Sequence, residues 1–447
     1  AMALCSEART IAHKIERTDA RSETLSAVAA ALAQAGAWQE ALALTRTIVK
    51  GDTRARAQRA VATVQAQAGA WNIALATARA IEIPAQRART LSVIATAQAQ
   101  AGQSAEAIEC WHEAAVAART IAKSESRAPA LSEVATAQAK AGAWDEALTT
   151  ARTVELPAQR ARALSAVAAA QAKAGHIATA MTLCDEAAAS ARAIAQDTVR
   201  AEALRAIAAA QAEAKAWEAA HATAHTIISD YPRAQALSAL VTAQAQAGMW
   251  QEALATAHTI TDIITHAQAL STLAVIQAQA GIWPDALAIA RTIAKSETRA
   301  EALRAIAAAQ ARAGMWKDAL ATARSIVNSA NVDTRAEAFR AIAIAQAEAG
   351  RWPDALATAR AITNGDTRAE TIRAIAVAQA RASMWKDALA TARTIADITS
   401  RAQALRAIAA AQGRAGIWPD ALATARLITN QDIRAEALRA IATAQAE

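Results

Sequence analysis

Three histidines have a spacing that a metal site would require. His221 and His225 are four residues apart, which puts both side chains on one face of a helix, and His258 lies 33 residues (258 − 225) further on. Two imidazoles at this spacing can ligate zinc together with a third. However, His225 and His258 occupy a position that holds arginine in most related segments, and no carboxylate or cysteine recurs with them. The pattern favours helix-surface histidines, and no metal is predicted.

No other residue pattern is typical of catalysis. The sequence has no phosphate-binding glycine loop, no Ser–His–Asp order and no pair of carboxylates that differs from the surrounding charges. A catalytic site in a repeating chain would have to interrupt the repeat with unusual polar residues, and almost none do so. The sequence therefore predicts neither an enzyme nor a bound cofactor.

The composition indicates a helical protein. Of the 447 residues, 54% are hydrophobic but only 3% are aromatic. Alanine supplies much of the apolar content and is the best helix former, while the 13 glycines and 7 prolines are few for this length. No apolar segment predicts a transmembrane helix. The formal charge of +7 comes from 47 basic and 40 acidic residues that are interleaved, which allows only weak attraction to polyanions.

The cysteines bear on the cellular compartment. Cys5, Cys110 and Cys184 are far apart and odd in number, so the sequence does not predict a disulfide framework. Unpaired thiols are typical of a reducing compartment, and no secretory signal is visible at the start of the sequence. These observations together predict a cytoplasmic location.

The histidine-bearing segments are copies of a repeat that runs through the chain. The residues AGMWKDALATAR at 313–324 return almost unchanged as ASMWKDALATAR at 382–393. An alanine–glycine pair precedes the tryptophan in most copies, and successive copies of this glycine, or of its substitute, are mostly 33 residues apart, with two intervals of 40 and one of 36. Twelve such anchors predict about twelve copies of one building block. The anchors are Gly36, Gly69, Gly102, Gly142, Gly175, Lys215, Gly248, Gly281, Gly314, Gly350, Ser383 and Gly416.

Each repeat predicts two helices. In the first segment, Leu303, Ile306 and Gln310 recur at helical spacing and define one buried stripe. Threonine with glutamate three residues later is typical of a capping box, as in Thr298 with Glu301 and Thr334 with Glu337, and the anchor glycine then ends the helix. The second segment begins at the tryptophan, often with proline and an acidic residue next, which are helix-start signals. In the two 40-residue repeats, the second helix is expected to be about two turns longer.

The repeat resembles the tetratricopeptide repeat (TPR) over nearly the whole chain. In residues 300–326, the large residues of that family match Leu303 and Ile306, its turn glycine matches Gly314 and its aromatic residue matches Trp316. The aromatic residues that the family carries inside its helices are replaced here, and the period is one residue shorter. The resemblance implies an all-α fold, a right-handed superhelical α-solenoid of about twelve helix–turn–helix repeats.

One TPR-like array is predicted to occupy residues 1–447. Residues 3–12 are typical of a second helix without a first, and residues 12–21 of an extended loop or helix end. Residues 434–447 are typical of a first helix without a second. Because a repeat array normally ends in polar capping segments, we expect this array to be a fragment of a longer protein.

The last segment is expected to expose an apolar stripe. Leu438 and Ile441 would pack on the second helix of the same repeat, and the sequence contains no such helix after them. Exposed apolar side chains of this kind promote association, so self-association through the terminal repeats is predicted.

Two rows of residues have either a structural role or a ligand-binding role. Tryptophans at the turns can stack nucleobases, but bulky side chains also fill gaps between alanine-rich helices, and that second role is favoured. Glutamines lie within the apolar stripes, where hydrogen bonding between helices is favoured over ligand contact. The rows are Trp38, Trp71, Trp144, Trp217, Trp250, Trp283, Trp316, Trp352, Trp385 and Trp418, and Gln65, Gln98, Gln138, Gln171, Gln211, Gln244, Gln277, Gln310, Gln346, Gln379, Gln412 and Gln445.

The resemblance also implies where a partner would bind. In the tetratricopeptide family, the first helices line a concave groove that holds an extended partner segment. One position near the start of each first helix is mostly serine in the earlier repeats and arginine in the later ones. The arginines either form weak surface ion pairs or grip carboxylates of an acidic partner. The predicted groove residues are Ser92, Ser132, Ser165, Ser238, Ser271, Arg205, Arg304, Arg340, Arg373, Arg406 and Arg439.

Three functions are open at the level of the sequence. The favoured function is a protein–protein interaction scaffold that binds an extended, acidic protein or peptide, as the recognition or sensor part of a larger protein. Nucleic-acid binding by a basic solenoid is the alternative, as in the related pentatricopeptide repeats, although those repeats read bases with varied residue pairs rather than blocks of one type. A purely structural spacer or oligomerisation arm is the third. No membrane partner is predicted.

Overall fold

The chain folds into repeated pairs of α-helices. The computed structural model describes residue 12 and residues 15–327 and 333–446, which contain 25 helices and no β-strand. The predicted all-α fold of about twelve helix–turn–helix repeats is therefore confirmed. The first helices are α1 Thr18–Gln34, α3 Gly51–Gln67, α5 Pro84–Gln100, α7 Ser124–Lys140, α9 Pro157–Lys173, α11 Asp197–Glu213, α13 Asp230–Gln246, α15 Ile263–Gln279, α17 Ser296–Arg312, α19 Thr334–Glu348, α21 Gly365–Arg381, α23 Ile398–Arg414 and α25 Gln431–Ala446.

The second helices begin at the residue that the turn positions, which is usually tryptophan. They are α2 Trp38–Arg46, α4 Trp71–Arg79, α6 Ser104–Arg119, α8 Trp144–Arg152, α10 Ile177–Arg192, α12 Trp217–His225, α14 Trp250–His258, α16 Trp283–Thr292, α18 Trp316–Arg324, α20 Trp352–Arg360, α22 Trp385–Arg393 and α24 Trp418–Arg426. Within the part of the chain that the structure describes, none of these helices is long and apolar enough to cross a membrane.

The chain divides into two compact units, Ala1–Ala243 and Gln244–Glu447. Within each unit, the helices that pack together are nearest or second-nearest neighbours along the chain. A second helix contacts the first helix of its own repeat and the first helix of the following one. Each repeat therefore buries its apolar surface against its neighbours, as expected for a helical-repeat array.

The turn between the two helices of a repeat depends on a left-handed residue. Gly314 has a φ of 78° and donates its N–H to the carbonyl of Ala311 at 2.9 Å, and the next residue donates to the carbonyl of Gln310 at 2.9 Å. These two bonds satisfy carbonyls at the helix end that would otherwise lack donors. Lys215 and Ser383 adopt the same conformation with φ of 57° and 61°. The predicted role of the anchor glycine is confirmed.

The predicted capping boxes are wrong. Thr298 lies inside the first turn of α17, and Thr334 is the first residue of α19 rather than its cap. The helices begin earlier, and where a side chain caps them it comes from the preceding loop. Asp333 accepts a hydrogen bond from a main-chain N–H of α19 at 3.0 Å, and Asn364 accepts one from the N–H of Thr367 at 2.9 Å.

The seven-residue insertions lengthen two second helices, as predicted. The helices α6 and α10 have 16 residues each, whereas most second helices have nine. Ala114 and Ala118 in the extra turns of α6, and Ala187 and Ala191 in those of α10, are each 0% exposed. The additional length is therefore packed and does not form a loop.

The two ends of the sequence differ from the prediction in part. The predicted partial helix at 3–12 lies outside the described residues except for residue 12, and residues 18–21 of the predicted 12–21 loop belong to α1. Ile441 of α25 is 4% exposed, so its predicted exposure is wrong, because it joins a core cluster against which Trp418 packs. Leu438 is 42% exposed, as predicted.

Candidate partner-binding face

The predicted groove residues all lie on first helices, near the middle of each helix. The sequence placed them near the helix starts, and they lie further along because the helices begin earlier than the predicted caps. We call these eleven residues the first-helix row. Its members in Ala1–Ala243 are Ser92, Ser132, Ser165, Arg205 and Ser238, and its members in Gln244–Glu447 are Ser271, Arg304, Arg340, Arg373, Arg406 and Arg439.

The serines of the row offer little surface to a partner. Ser132 and Ser165 are both 3% exposed, and the Ser165 hydroxyl donates to the carbonyl of Ala161 in its own helix at 2.8 Å. Ser238 and Ser271 are half-buried. Ser92 is 8% exposed, and its hydroxyl oxygen is buried without a hydrogen-bond partner. Burial argues against partner contact by Ser132 and Ser165.

Most arginines of the row form ion pairs with glutamates. Arg304 bonds Glu301 of the same helix at 2.7 Å, and Arg205 bonds the glutamate three residues before it in the same way. Arg406 instead bonds Glu436 of the next first helix at 2.5 Å. These pairs are partly exposed, so each contributes little to stability.

Among the described residues, Arg373 and the exposed Arg439 form no such pair, and at Arg373 both positions that supply a glutamate elsewhere fail to do so. Glu370, three residues before it, lies 3.5 Å from Arg340 of the preceding first helix. Residue 403, which corresponds to the partner of Arg406, is glutamine. The half-buried Arg373 therefore has no acidic partner among the described residues, and its Nε atom is buried without an acceptor.

A cavity opens on the first helices of Ala1–Ala243. It has a volume of about 620 Å³ and is lined in part by Arg59, Ser92 and Val93. Arg89 and Glu133 on its wall form a two-bond ion pair, with Nε–Oε2 and Nη2–Oε1 distances of 2.6 and 2.9 Å. That hydrogen bonding raises the pKa of Arg89 above its usual value. The half-buried Arg59 has no side-chain partner among the described residues, although it occupies the position of the row.

The turn tryptophans are half-buried at the edge of the core. Trp352, Trp385 and Trp418 pack against a cluster of buried alanine and isoleucine side chains. Two other tryptophan rings are in contact with a nitrogen-containing side chain of the next repeat. His176 lies edge-on to Trp144, with ring centroids 4.7 Å apart. The Arg351 guanidinium lies 5.7 Å from the centre of the Trp316 ring. These positions fit the predicted structural role and leave part of each ring accessible.

The glutamine row bonds between helices, as predicted, in four repeats. Gln310 accepts a hydrogen bond from the hydroxyl of Thr322 in the second helix of the same repeat at 2.8 Å. Several other glutamines have a buried side-chain oxygen without a donor, which the sequence did not predict. The four bonded pairs are Gln65–Thr77, Gln310–Thr322, Gln346–Thr358 and Gln412–Thr424.

The histidines do not form the three-residue cluster that a metal site requires. His221 and His225 lie with their Nε2 atoms 3.2 Å apart, while His258 lies beside His266, with ring centroids 5.7 Å apart. Burial, followed by the charge of His225, lowers the pKa of His221. Among the described residues, no group of three or more histidine, cysteine or acidic side chains is arranged to hold a metal ion.

A second row of arginines was not predicted from the sequence. In most repeats, an arginine in the first turn of the first helix donates to the carbonyl of the isoleucine six residues before it, in the preceding loop. Arg299 does so to Ile293 at 2.8 Å, and Arg368 to Ile362 at 3.1 Å. These arginines can be identified in the sequence by the recurring Ile-x5-Arg spacing. Many of the basic residues are thus structural, which weakens the case for a polyanion-binding surface.

Known proteins show only distant likenesses to this chain. No protein-family model matches the sequence, and no curated protein gives a significant match. Ton1535 from Thermococcus onnurineus NA1 is 20% identical over 78% of this chain and 97% of its own, with a TM-score of 0.28. The pentatricopeptide repeat protein PPR10 from maize is 16% identical over 95% and 68%, with a TM-score of 0.42. Naa15/Naa10 bound to HypK-THB is 15% identical over 95% and 71%, with a TM-score of 0.33. Likenesses at this level do not assign a function.

Proposed function

We propose that this chain is a non-catalytic scaffold whose first-helix row in Gln244–Glu447 binds an extended, acidic segment of a partner protein. The observation that carries the proposal is Arg373, a half-buried guanidinium whose Nε atom lacks an acceptor. Burying a charged donor without an acceptor is costly. A carboxylate of a partner would supply two oxygen acceptors to the planar guanidinium.

The neighbouring arginines extend the site along the row. Arg340 and Arg406 occupy the same position on the first helices before and after that of Arg373. Packed helices lie roughly 8–10 Å apart and an extended chain advances about 3.3 Å per residue, so every third residue of the partner would meet a successive arginine. A segment with an acidic residue at every third position fits this spacing best.

The proposal also includes membership of the tetratricopeptide family and a cytoplasmic location. Membership of the tetratricopeptide family rests on the helix pairs and the matched turn residues, and a cytoplasmic location rests on thiols that are unbridged. Cys110 and Cys184 are buried and free, and burial raises the pKa of each thiol to about 12. A buried thiol of this kind is inert, which fits a structural role in a reducing compartment.

Binding of a designed peptide tests the proposal. A fluorescent ten-residue peptide with glutamate at every third position is titrated with the protein, and anisotropy reports the Kd. Arg373→Gln should weaken binding about tenfold, because a charge-assisted bidentate contact is lost. Arg324→Gln removes the same charge from a second helix of the same unit and should change Kd by less than about twofold.

Two results would contradict the scaffold. One is an equal loss of affinity in both variants, which would mean that net charge alone attracts the peptide. The other is tighter binding of a single-stranded oligonucleotide with a steep linear fall of log K against log salt, since that slope reports phosphate neutralisation. The second result would establish the nucleic-acid alternative.

A further inference from the structure

A second cavity, away from the first-helix row, lies on the second-helix side of Ala1–Ala243. It has a volume of about 670 Å³ and lies between α4 and the long helix α6. Its lining includes Trp71 and Arg79 from α4, Gln98 near the end of α5, and residues of α6 from Glu106 to Glu113. A cavity of this size accommodates a side chain or a small organic ion.

The charges on its wall are unbalanced. Glu106, Glu109 and Glu113 line the cavity from α6, and Arg79 is the only basic residue in the lining. Arg79 is fully engaged with Glu113, through Nε–Oε1 and Nη2–Oε2 distances of 2.9 Å each. Glu106 and Glu109 therefore have no cationic partner among the described residues.

Two buried amide oxygens add to the excess of acceptors. Gln98 is 2% exposed, and its side-chain oxygen has no donor. In other repeats, a threonine of the second helix donates its hydroxyl to the corresponding glutamine, as Thr322 does to Gln310. In α6 that position holds Cys110, whose thiol donates instead to the carbonyl of Leu91 at 3.2 Å. The side-chain oxygen of Gln103 is also buried without a donor, and both glutamines line the cavity.

Other repeats indicate what kind of group fits beside the tryptophan. The residue after the turn glycine lies against the tryptophan of the preceding repeat in two places, as Arg351 on Trp316 and His176 on Trp144. Both are nitrogen donors that carry or can acquire positive charge. The corresponding residue beside Trp71 is Gln103, which cannot provide a charge.

We propose that this cavity binds a guanidinium group, stacked on Trp71 and held by the carboxylates of Glu106 and Glu109 and the amide oxygens of Gln98 and Gln103. A guanidinium is planar, carries five N–H donors and stacks well on indole rings. It therefore matches a site that has acceptors, negative charge and an aromatic face but lacks donors. The source is either an arginine side chain of a partner protein or a small free guanidinium compound.

The other long repeat is a built-in negative control. It keeps Trp144, and the pair of Arg152 and Glu186 has the same two-bond geometry, with Nε–Oε1 and Nη2–Oε2 distances of 3.1 and 2.9 Å. The positions that correspond to Glu106 and Glu109, 73 residues further on (179 − 106), hold Thr179 and Thr182. His176 lies beside Trp144. That repeat should not bind a guanidinium.

Calorimetric titration with N-acetyl-arginine methylamide tests the proposal. We expect one site per chain, at least about tenfold weaker binding in the double variant Glu106→Gln and Glu109→Gln, and no effect of the exposed-site control Glu252→Gln. The citrulline analogue, which has the same shape without the charge, should not bind. Equal binding of citrulline, or unchanged binding in the double variant, would overturn the proposal.

A gain of binding provides the complementary test. The triple variant His176→Gln, Thr179→Glu and Thr182→Glu introduces the missing groups into the second long repeat and should raise the stoichiometry from one site to two. A stoichiometry that stays at one would count against the proposed set of groups. A tripeptide with central arginine separates the sources: tighter binding than the single residue indicates a protein partner, and equal binding indicates a free compound.

Discussion

In most repeats, an arginine six residues after a loop isoleucine ties the loop to the next helix, and His266 replaces that arginine after Ile260. The His266 Nε2 atom is buried without a hydrogen-bond partner. His266→Arg should restore a bond to the carbonyl of Ile260, as Arg299 makes to Ile293 at 2.8 Å. We expect the free energy of unfolding to rise by about 1 kcal/mol, measured by urea denaturation. A loss of stability would mean that the site cannot hold the longer side chain.

The same histidine predicts a pH dependence of stability. Burial, followed by the charge of His258, lowers the pKa of His266 below its ordinary value of 6.5. At a pH between the lowered pKa of the folded state and the ordinary pKa of 6.5, His266 is protonated in the unfolded chain but not in the folded chain. Stability therefore falls as the pH drops below about 6.5. Melting temperature should therefore decrease from pH 7 to pH 5, and by less in His266→Gln than in the parent. An equal decrease in both proteins would assign the effect to other groups.

The buried glutamine–threonine bonds predict a cost for removing one partner. The Thr322 hydroxyl donates to the side-chain oxygen of Gln310 at 2.8 Å. Thr322→Val keeps the shape of the side chain but removes this donor. A buried acceptor left without a partner costs about 1–3 kcal/mol, which chemical denaturation can measure. Thr272→Val serves as the control, because the Thr272 hydroxyl bonds only the carbonyl of Gln268 in its own helix. Equal effects of the two changes would show that the buried bond adds nothing.

At the scale of the helices, two turns carry strain that glycine would relieve. Lys215 and Ser383 hold φ values of 57° and 61°, in the left-handed region that disfavours side chains with a β-carbon. Lys215→Gly and Ser383→Gly should each stabilise the protein by about 1 kcal/mol, seen as a higher urea midpoint. The reverse change, Gly314→Ser, should destabilise it by a similar amount, since Gly314 has a φ of 78°.

The helices were largely predictable from the sequence, and the binding face only in part. Period, helix pairs, turn glycines and the longer second helices follow from local spacing, which acts within a few residues. The pairing of Arg340 with Glu370, which leaves Arg373 without an acid, depends on contact between helices of different repeats. Likewise, no local rule distinguishes a buried Ser165 from an accessible Arg304, because burial at one position of a helix depends on the neighbouring helices.

At the scale of the whole molecule, the described helices that pack together within each of the two units are near neighbours in sequence, so damage should spread over a short distance. Trp316 is half-buried at a turn. Trp316→Ala should cost about 2 kcal/mol, less than for a fully buried ring. Hydrogen exchange should quicken in α17 to α20 and stay unchanged in α1 to α8. Faster exchange over the entire chain would mean that the molecule unfolds as one cooperative unit.

Contacts that join only neighbouring helices also affect how the chain is made. A nascent polypeptide with such contacts can pack each helix pair soon after it is synthesised, because the pair needs no contact with residues far away in the sequence. Chains of low contact order fold quickly and expose apolar surface only briefly. Near-identical segments such as 313–324 and 382–393 would otherwise compete for the same neighbours. We expect vectorial synthesis to remove that ambiguity, because the earlier copy can dock before the later copy leaves the ribosome.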